Sequence, residues 1–173
     1  MRKYEITNET HPEVPYLKRI RALKDFANVK KGDLGGFIES EKNLDQEGNC
    51  WLSDNAKVYG NAWVSWDAKV YGNAQVYGNA QVFDDVEVYG YAWVSGYAKV
   101  YGNAVVFGDA KVYGYAEVSG NAQIYGDAVV FGDEKSKPNN NPEILESLPE
   151  EVTSITISGI TYTKKVTWVA EEK

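Results

Sequence analysis

Few side chains of this sequence are of the types that perform acid–base, nucleophilic or metal chemistry at neutral pH. Histidine occurs once, as His11 beside Pro12, and cysteine occurs once, as Cys50. One histidine cannot form a three-histidine metal site, and a general base elsewhere would have to be a carboxylate. We therefore expect His11 to be a bystander in a loop and Cys50 to be a packed small side chain. The sequence predicts a protein that is not an enzyme and that needs no cofactor and no metal.

Aspartates that recur 18 residues apart form the remaining pattern that could hold a ligand. Asp67 and Asp85 have this spacing, with Asp84 beside Asp85, and Asp109 and Asp127 have it as well. Stacked carboxylates repel each other unless backbone amides or a cation neutralise them. Hydrogen bonds to turn amides are the expected solution, and a weak calcium site is the alternative.

The element that must position these residues is a six-residue repeat, which occurs fourteen times over residues 50–133. Each unit has a small residue, any residue, valine, an aromatic residue or serine, glycine, and asparagine or aspartate, as in 56–61 (AKVYGN). Residues two apart in a strand share a face, so Ala56 and Val58 point inward and Tyr59 points outward. Because Gly–Asn pairs tolerate positive φ, each unit ends in a turn. Three edges then predict a triangular 18-residue coil.

An aliphatic residue four places before a small one, as in Val58–Ala62 and Val70–Ala74, resembles the left-handed β-helix of hexapeptide-repeat proteins. The resemblance covers about half of the chain and implies an all-β fold, a single-stranded left-handed parallel β-helix. The hand comes from the resemblance alone, because ordinary crossovers are right-handed. Pentapeptide-repeat helices are the nearest rival, but the period here is six. Residues 19–49, followed by AKVYGN units, also resemble uncharacterised hexapeptide-repeat proteins of phages and prophages, which implies such a source and no particular activity.

The N-terminal part of the chain departs from the repeat and predicts a cap. A strand over residues 3–7 is expected to pair with a strand inside residues 16–26, for which a helix is the alternative. Such a cap would cover the open end of the solenoid, where backbone groups are otherwise unpaired. Four segments are predicted: the cap and lead-in over residues 1–37, the β-helix over residues 38–133, a linker over residues 134–142, and a short helix with a β-hairpin over residues 143–173.

The C-terminal part changes composition after the last repeat. Residues 134–141 (EKSKPNNN) are polar and predict a linker, and Pro142 can start a short helix that continues to about Leu148. Residues 153–169 are rich in Thr, Ile and Val around Ser158–Gly159, which predicts a β-hairpin. The hairpin either covers the open C-terminal coil or joins copies of the chain.

Charge and hydropathy restrict the classes of partner. The net charge is −7, and the repeat region alone has four basic and nine acidic residues, which argues against direct nucleic-acid binding. No apolar run approaches the length of a transmembrane helix, and the charged start lacks the apolar core of a signal peptide. We expect no membrane association and a cytoplasmic location, that of the host cell if a phage encodes the protein.

Aromatic side chains dominate the outer fourth position of the repeat and predict ladders that stabilise the sheets by stacking. A long aromatic face also suits a partner or a sister subunit. The three predicted columns are Tyr59, Tyr77, Ser95, Tyr113 and Phe131; Tyr71, Tyr89, Phe107 and Tyr125; and Ser65, Phe83, Tyr101 and Ser119.

Departures from the repeat are the candidate partner-binding positions. Tryptophans replace polar residues or a glycine, aspartate replaces a corner glycine beside a second aspartate, and tyrosines replace corner Asn or Asp. Tyr97 and Tyr115 fall in one column with Trp93 nearby, and this cluster is the best candidate patch, with tolerated surface substitutions as the alternative. The candidates are Trp63, Trp66, Trp93, Tyr91, Tyr97, Tyr115, Asp84 and Asp85.

These observations favour a rigid binding module without catalytic activity, which would bind a host protein and inhibit a host defence system. A self-assembling structural or virion-associated protein is the first alternative, with a dimer or trimer packed through its aromatic faces. Many left-handed β-helix proteins are acyltransferases that use a histidine between trimer subunits, so the resemblance implies an enzyme as a further alternative, which the single His11 disfavours. Ice binding is remote, because outer positions are Lys, Gln and Tyr rather than Thr pairs.

Overall fold

The computed structural model describes residues 2–132, 154–157 and 160–163, and its main body is a parallel β-helix built from very short strands. A 3-10 turn spans Glu41–Asn43. In chain order the strands are β1 (Tyr4–Thr10), β2 (Lys18–Ala22), β3 (Leu34–Ile38), β4 (Trp51–Leu52), β5 (Lys57–Val58), β6 (Trp63–Val64), β7 (Lys69–Val70), β8 (Gln75–Val76), β9 (Gln81–Val82), β10 (Glu87–Val88), β11 (Trp93–Val94), β12 (Lys99–Val100), β13 (Val105–Val106), β14 (Lys111–Gly114), β15 (Glu117–Val118), β16 (Gln123–Ile124), β17 (Val129–Gly132), β18 (Ser154–Ile157) and β19 (Ile160–Thr163).

The repeat winds around three faces. We call the sheet β1-β2-β3-β5-β8-β11-β14-β17 the first face, β6-β9-β12-β15 the second face, and β4-β7-β10-β13-β16 the third face. The first, second and third corners follow the strands of the face with the same number. Partners in the parallel pairs are separated by the predicted coil length, as in Lys57↔Gln75 and Val58↔Val76. The predicted fold class and the 18-residue coil are therefore confirmed.

The core consists of the inward-facing small and branched residues of every unit. Ala56, Val58 and their equivalents in the following coils are buried, because each lies against the same residue type one coil away. Valine suits the short strand because its branched side chain packs well on a pleated surface. Alanine fits the position that follows each corner, where two faces meet. The predicted inward face of the repeat is confirmed.

The serines of the predicted outer columns differ from the aromatic residues that occupy the same repeat position. Ser65, Ser95 and Ser119 are buried. A small side chain at this position is covered by the turn, whereas an aromatic ring must extend beyond it. The Ser65 hydroxyl has no hydrogen-bond partner within the described part of the chain. The three serines therefore occupy the predicted columns but are buried, whereas the aromatic residues of the same columns are partly or fully exposed.

Corner glycines adopt the left-handed conformation that the sequence predicts. Gly96 has φ +68°, and a Cβ atom added there would lie 2.9 Å from the amide nitrogen of Gly114 in the next coil. The residue after the glycine donates its amide to the corner of the following coil, as Asn61 N does to Gly78 O at 2.8 Å. The close approach of successive corners therefore favours glycine at Gly96 for both its conformation and its lack of a side chain.

The N-terminal cap is a set of antiparallel strands that extends the first face. β1 pairs with β2 through Tyr4↔Ala22, β2 pairs with β3, and β3 runs parallel to β5. The segment inside residues 16–26 is thus a strand, as favoured over a helix. Phe37 pairs with Lys57, a separation slightly longer than that of the regular coils, and Leu44 bridges to Val64. The first coil is therefore irregular.

Two polar side chains, that of Lys3 directly before β1 and that of Tyr4 at the start of β1, close the open end of the first coil. The Lys3 ammonium is fully buried and donates to the carbonyl oxygens of Glu47 and Cys50, each at 3.0 Å. It also lies 3.2 Å from Cys50 Sγ. The buried Tyr4 hydroxyl donates to Leu44 O at 2.7 Å. Burial raises the pKa of the Tyr4 hydroxyl and, against the influence of Lys3, that of the Cys50 thiol.

The C-terminal strands β18 and β19 are antiparallel, with Ser154 opposite Thr163 and Ile157 opposite Ile160. This pairing confirms the predicted hairpin over these residues, and β18 lies close to β15 of the second face. The predicted linker over residues 134–142 and the predicted helix ending near Leu148 lie outside the described residues. Within the described ranges, no helix has the length and apolar character needed to cross a membrane.

Candidate functional site

Aromatic residues at the fourth repeat position stack from coil to coil as expected. Tyr71 and Tyr89 have ring centroids 4.8 Å apart, and Tyr89 and Phe107 continue the ladder at 5.0 Å. Phe83 and Tyr101 form a second stacked pair at 5.2 Å. These rings are half-buried between the coil corners. They stabilise the solenoid, and a partner would reach only their edges.

Four of the candidate residues lie on or beside the first face. Trp93 projects from β11, with Gln75 and Lys111 as its neighbours on adjacent strands. Tyr91 lies in the third corner just before it, and Tyr97 lies in the first corner after it, stacked on Tyr115 with ring centroids 4.8 Å apart. All four rings are exposed. We call Tyr91, Trp93, Tyr97 and Tyr115 the first-face patch.

The other four candidates belong to a different part of the solenoid. Trp63 projects from β6 on the second face, whereas Trp66, Asp84 and Asp85 lie in the second corner. The structure therefore divides the eight predicted positions into two groups rather than one surface.

Trp66 has an unusual backbone for its residue type. It occupies the corner position of a glycine at φ +59°, and its side chain is 65% exposed. Asp84, which follows it in the same column at φ +65°, accepts a hydrogen bond from Gly102 N at 3.0 Å through its carboxylate. Asp54 forms the equivalent bond with Gly72 N in the third corner. The Trp66 indole forms no hydrogen bond within the described residues, so no such bond offsets its backbone strain.

Trp66→Gly is expected to raise the free energy of unfolding by about 0.5–1 kcal/mol, because a left-handed conformation costs an L residue more than it costs glycine. Urea-induced unfolding followed by circular dichroism measures the change. Asp84→Gly is the matched control: it removes the same kind of strain but also the bond to Gly102, so we expect a smaller gain or a loss. A destabilised Trp66→Gly protein would show that the indole contributes to packing.

The corner aspartates fall into two classes. Asp67 accepts a hydrogen bond from Asn49 N at 3.1 Å and Asp84 accepts one from Gly102 N, which supports the turn-amide interpretation for these two. Asp85, Asp109 and Asp127 are exposed, and their carboxylates have no hydrogen-bond or ion-pair partner in the described ranges. No group of three or more His, Cys, Asp or Glu residues there is placed to hold a metal ion.

His11 follows directly after β1, outside the strands, but its ring is buried. It packs edge-on against Phe37 with ring centroids 4.8 Å apart, and its Nδ1 accepts a hydrogen bond from Glu13 N. Its Nε2 lies 3.2 Å from the Lys57 ammonium nitrogen. Burial and the charge of Lys57 lower the pKa of His11, so the imidazole is neutral at neutral pH. Its enclosed position leaves little room for a substrate.

Two grooves were not predicted from the sequence. The larger, of about 570 Å³, lies under the loop between β2 and β3, with Asp33, Leu34 and Trp51 among its walls. On its floor Glu87 accepts a hydrogen bond from the Tyr71 hydroxyl at 3.1 Å and forms an ion pair with Lys69 at 3.3 Å. Burial and the Glu87 charge raise the pKa of Tyr71.

The smaller groove, of about 320 Å³, lies where the third corner meets the first face. Its residues come from three successive coils, so local sequence does not reveal it, although the stacking of Asp109 and Asp127 was visible in their spacing. It is lined by Gln75, Tyr91, Trp93, Asp109, Lys111 and Asp127.

Comparison with known proteins gives one family and one relative. Residues 122–133 match the family model described as "YdcK Beta solenoid repeat". The chain is 38% identical over 68 residues to the "Uncharacterized acetyltransferase YdcK" of Escherichia coli (strain K12), an alignment that covers 34% of this chain and 21% of that protein. The chain thus spans about a fifth of the relative's length.

The relative corrects one expectation. The single histidine predicted a protein that is not an enzyme, but a similar protein is named as an acetyltransferase. The count of histidines is therefore insufficient to exclude catalysis. The repeat match, the 18-residue spacing of the parallel pairs and the three-faced architecture together show an all-β parallel β-solenoid, a fold that fits a hexapeptide-repeat left-handed β-helix.

Proposed function

We propose that this β-helix captures a protein partner through the first-face patch. The observation that carries the proposal is the joint exposure of Trp93 on β11 and of Tyr91 and Tyr97 beside it, at a repeat position that is otherwise Asn or Asp except at Tyr115. Coil-to-coil stacking explains the half-buried rings at the fourth position and the Tyr97–Tyr115 pair, but it does not explain the exposed Tyr91 and Trp93. A role in recognition accounts for this exposed aromatic surface.

The chemistry of the patch suits a protein surface. Tyrosine and tryptophan are enriched among the residues that dominate binding energy, because they bury a large area and lose few rotamers. Here the rings project from a rigid stack of strands, so little ordering is required on binding. The excess of acidic residues in the repeat region favours a partner with a basic surface.

The class of partner follows from the resemblance to hexapeptide-repeat proteins of phages and prophages. A small acidic rod that is encoded by such an element would bind a bacterial host protein, and the proposed consequence is inhibition of a host defence system. Self-assembly through the same aromatic faces is the competing role, since an exposed aromatic patch also suits a second copy. The experiment that follows separates a host protein from a second copy by mass.

Trp93→Ala combined with Tyr97→Ala is expected to abolish partner capture while changing the thermal unfolding curve little, because both side chains are exposed. The measurement is native mass spectrometry of the tagged protein captured from bacterial lysate. Trp63→Ala with Tyr16→Ala is the matched control, since these exposed rings lie on the second face and in the cap. Unchanged capture by the first double variant would disprove the binding role of the first-face patch. A homodimer or homotrimer without a second protein would favour self-assembly.

A second candidate function is acetyl transfer, which the name of the Escherichia coli relative favours. The groove under the cap has a volume within the range of small-molecule sites, and Glu87 is the carboxylate on its floor that could act as a general base. Purified protein incubated with acetyl-coenzyme A and amine or alcohol acceptors should release coenzyme A, and Glu87→Gln should not. Equal release by both proteins would exclude this site.

A further inference from the structure

The groove at the third corner combines aromatic walls with unpaired carboxylates, and we propose that it receives an arginine side chain of the protein partner. This inference rests on the proposed function and specifies the chemistry of the partner. Tyr91 and Trp93 form the aromatic part, and Asp109 and Asp127 form the acidic part. We call the six lining residues given above the third-corner pocket.

The two carboxylates belong to successive coils. Tyr91 N donates to Gly108 O and Asp109 N donates to Gly126 O, so the corner residues Tyr91, Asp109 and Asp127 stand one above another. Neighbouring coils are about 4.8 Å apart. Earlier coils have asparagine at the equivalent positions, namely Asn55 and Asn73. The pocket therefore lies where the column changes from neutral amides to an aromatic ring and two negative charges.

Nothing among the described residues neutralises these charges. Asp54, Asp67 and Asp84 each accept a backbone N–H, but Asp109 and Asp127 accept none and have no ion pair in residues 2–132. Two like charges at this spacing repel each other, and a cation between them removes the repulsion. The unpaired carboxylates of Asp109 and Asp127 thus favour a positively charged ligand.

The aromatic wall selects an organic cation. The Lys111 ammonium already lies 5.1 Å from the centroid of the Trp93 ring, which shows that this ring can face a positive charge in the folded protein. Lys111 has no carboxylate within ion-pair distance in residues 2–132, so it covers the ring without satisfying Asp109 or Asp127. A metal ion would require more oxygen ligands than the pocket offers and would gain little from an indole face.

A guanidinium group satisfies both parts of the pocket. Its plane stacks on an aromatic ring, and its fork of N–H donors pairs with carboxylates. An incoming arginine would displace Lys111 from Trp93 and bring its donors towards Asp109 and Asp127. Lys111 then acts as an internal competitor, so its removal should strengthen arginine binding even though the pocket becomes more accessible to water.

The test uses the full chain with hexa-arginine as the probe and hexalysine as the charge-matched reference. Indole N–H signals in ¹H–¹⁵N spectra report binding, and Trp93→Phe assigns the Trp93 signal. We expect hexa-arginine to shift the Trp93 signal selectively and to bind more tightly than hexalysine. Asp127→Asn should weaken hexa-arginine binding about tenfold, and Lys111→Gln should strengthen it.

Asp85→Asn is the matched control, because Asp85 is also an exposed, unpaired corner aspartate but lies in the second corner. If Asp85→Asn weakens binding as much as Asp127→Asn, or if hexalysine shifts Trp93 equally, attraction is non-specific and the inference is wrong. If no arginine site is found while the Trp93 and Tyr97 double variant still loses its partner, the inference fails and the proposed function stands. If arginine binds at Trp93 while that variant keeps its partner, the proposed function fails instead.

Discussion

Ala98→Leu is expected to lower the free energy of unfolding by about 1–3 kcal/mol, because it adds three carbon atoms to a closed inner corner of the solenoid. Ala98 is fully buried and lies directly before β12, between Ala80 and Ala116 of the neighbouring coils. Its carbonyl accepts Gln81 N at 2.9 Å, which fixes the backbone against a shift along the coil. Urea-induced unfolding followed by far-ultraviolet circular dichroism gives the measurement.

The next residue supplies the control for this substitution. Lys99 points outward from β12, so Lys99→Leu introduces the same side chain without entering the core. We expect a change within about 0.5 kcal/mol, as for most surface substitutions. Because each coil contacts only its neighbours, the Ala98→Leu effect should be reproduced at other inner alanines of the regular coils, such as Ala92 or Ala104. An unaffected Ala98→Leu protein would contradict close packing at the small position.

The sequence was sufficient to predict the solenoid, because the same physical constraint repeats in every unit. The alternation of Ala and Val against polar residues specifies the inward face, and the Gly–Asn pair specifies the turn. Both features are local, so they can be recognised in the sequence without the structure. The cap strands were predicted from alternation around His11 and the prolines, although the helix alternative at residues 16–26 needed the pairing of β1 with β2 to exclude it.

The site was predicted less completely, because its properties depend on coils that are far apart in the sequence. Composition does not show that Asp84 is bound to the amide of Gly102 while Asp127 is unpaired, although both occupy corner positions. Nor does it show that Trp66 and Trp93 lie on different parts of the triangle. The regular spacing identified the stacked residues, but the combination of Tyr91 with two later coils in one pocket required the geometry.

The buried Lys3 was missed for a related reason. A lysine near the start of a chain is ordinarily solvated, and no local pattern distinguishes this one from Lys18. Its position is determined by carbonyl groups of the irregular first coil, which lies far from it in the sequence. These carbonyls have no further coil to pair with, so a long cationic side chain satisfies them instead. Side chains as well as strands therefore cap the N-terminal end of this solenoid.

Lys3→Met is accordingly expected to lower the free energy of unfolding by about 1–3 kcal/mol, because it leaves the buried carbonyl of Cys50 and the carbonyl of Glu47 without their Lys3 donor. Cys50 provides a local measurement, since it is the only cysteine of the chain and is buried beneath Lys3. Loosening of the cap should increase the rate at which a thiol reagent labels Cys50 in the native protein. Global unfolding by urea measures the stability change independently.

Lys18→Met, the same replacement at an exposed position of β2, should change neither quantity appreciably. Faster Cys50 labelling in Lys3→Met with a small change in global stability would mean that the cap opens locally while the coils remain folded. Equal labelling of the two variants and the parent protein would contradict a sealing role for Lys3. In that case the hydroxyl of Tyr4, which donates to Leu44 O, and the apolar contacts of Trp51 with Tyr4 and Phe26 would be sufficient to close the first coil.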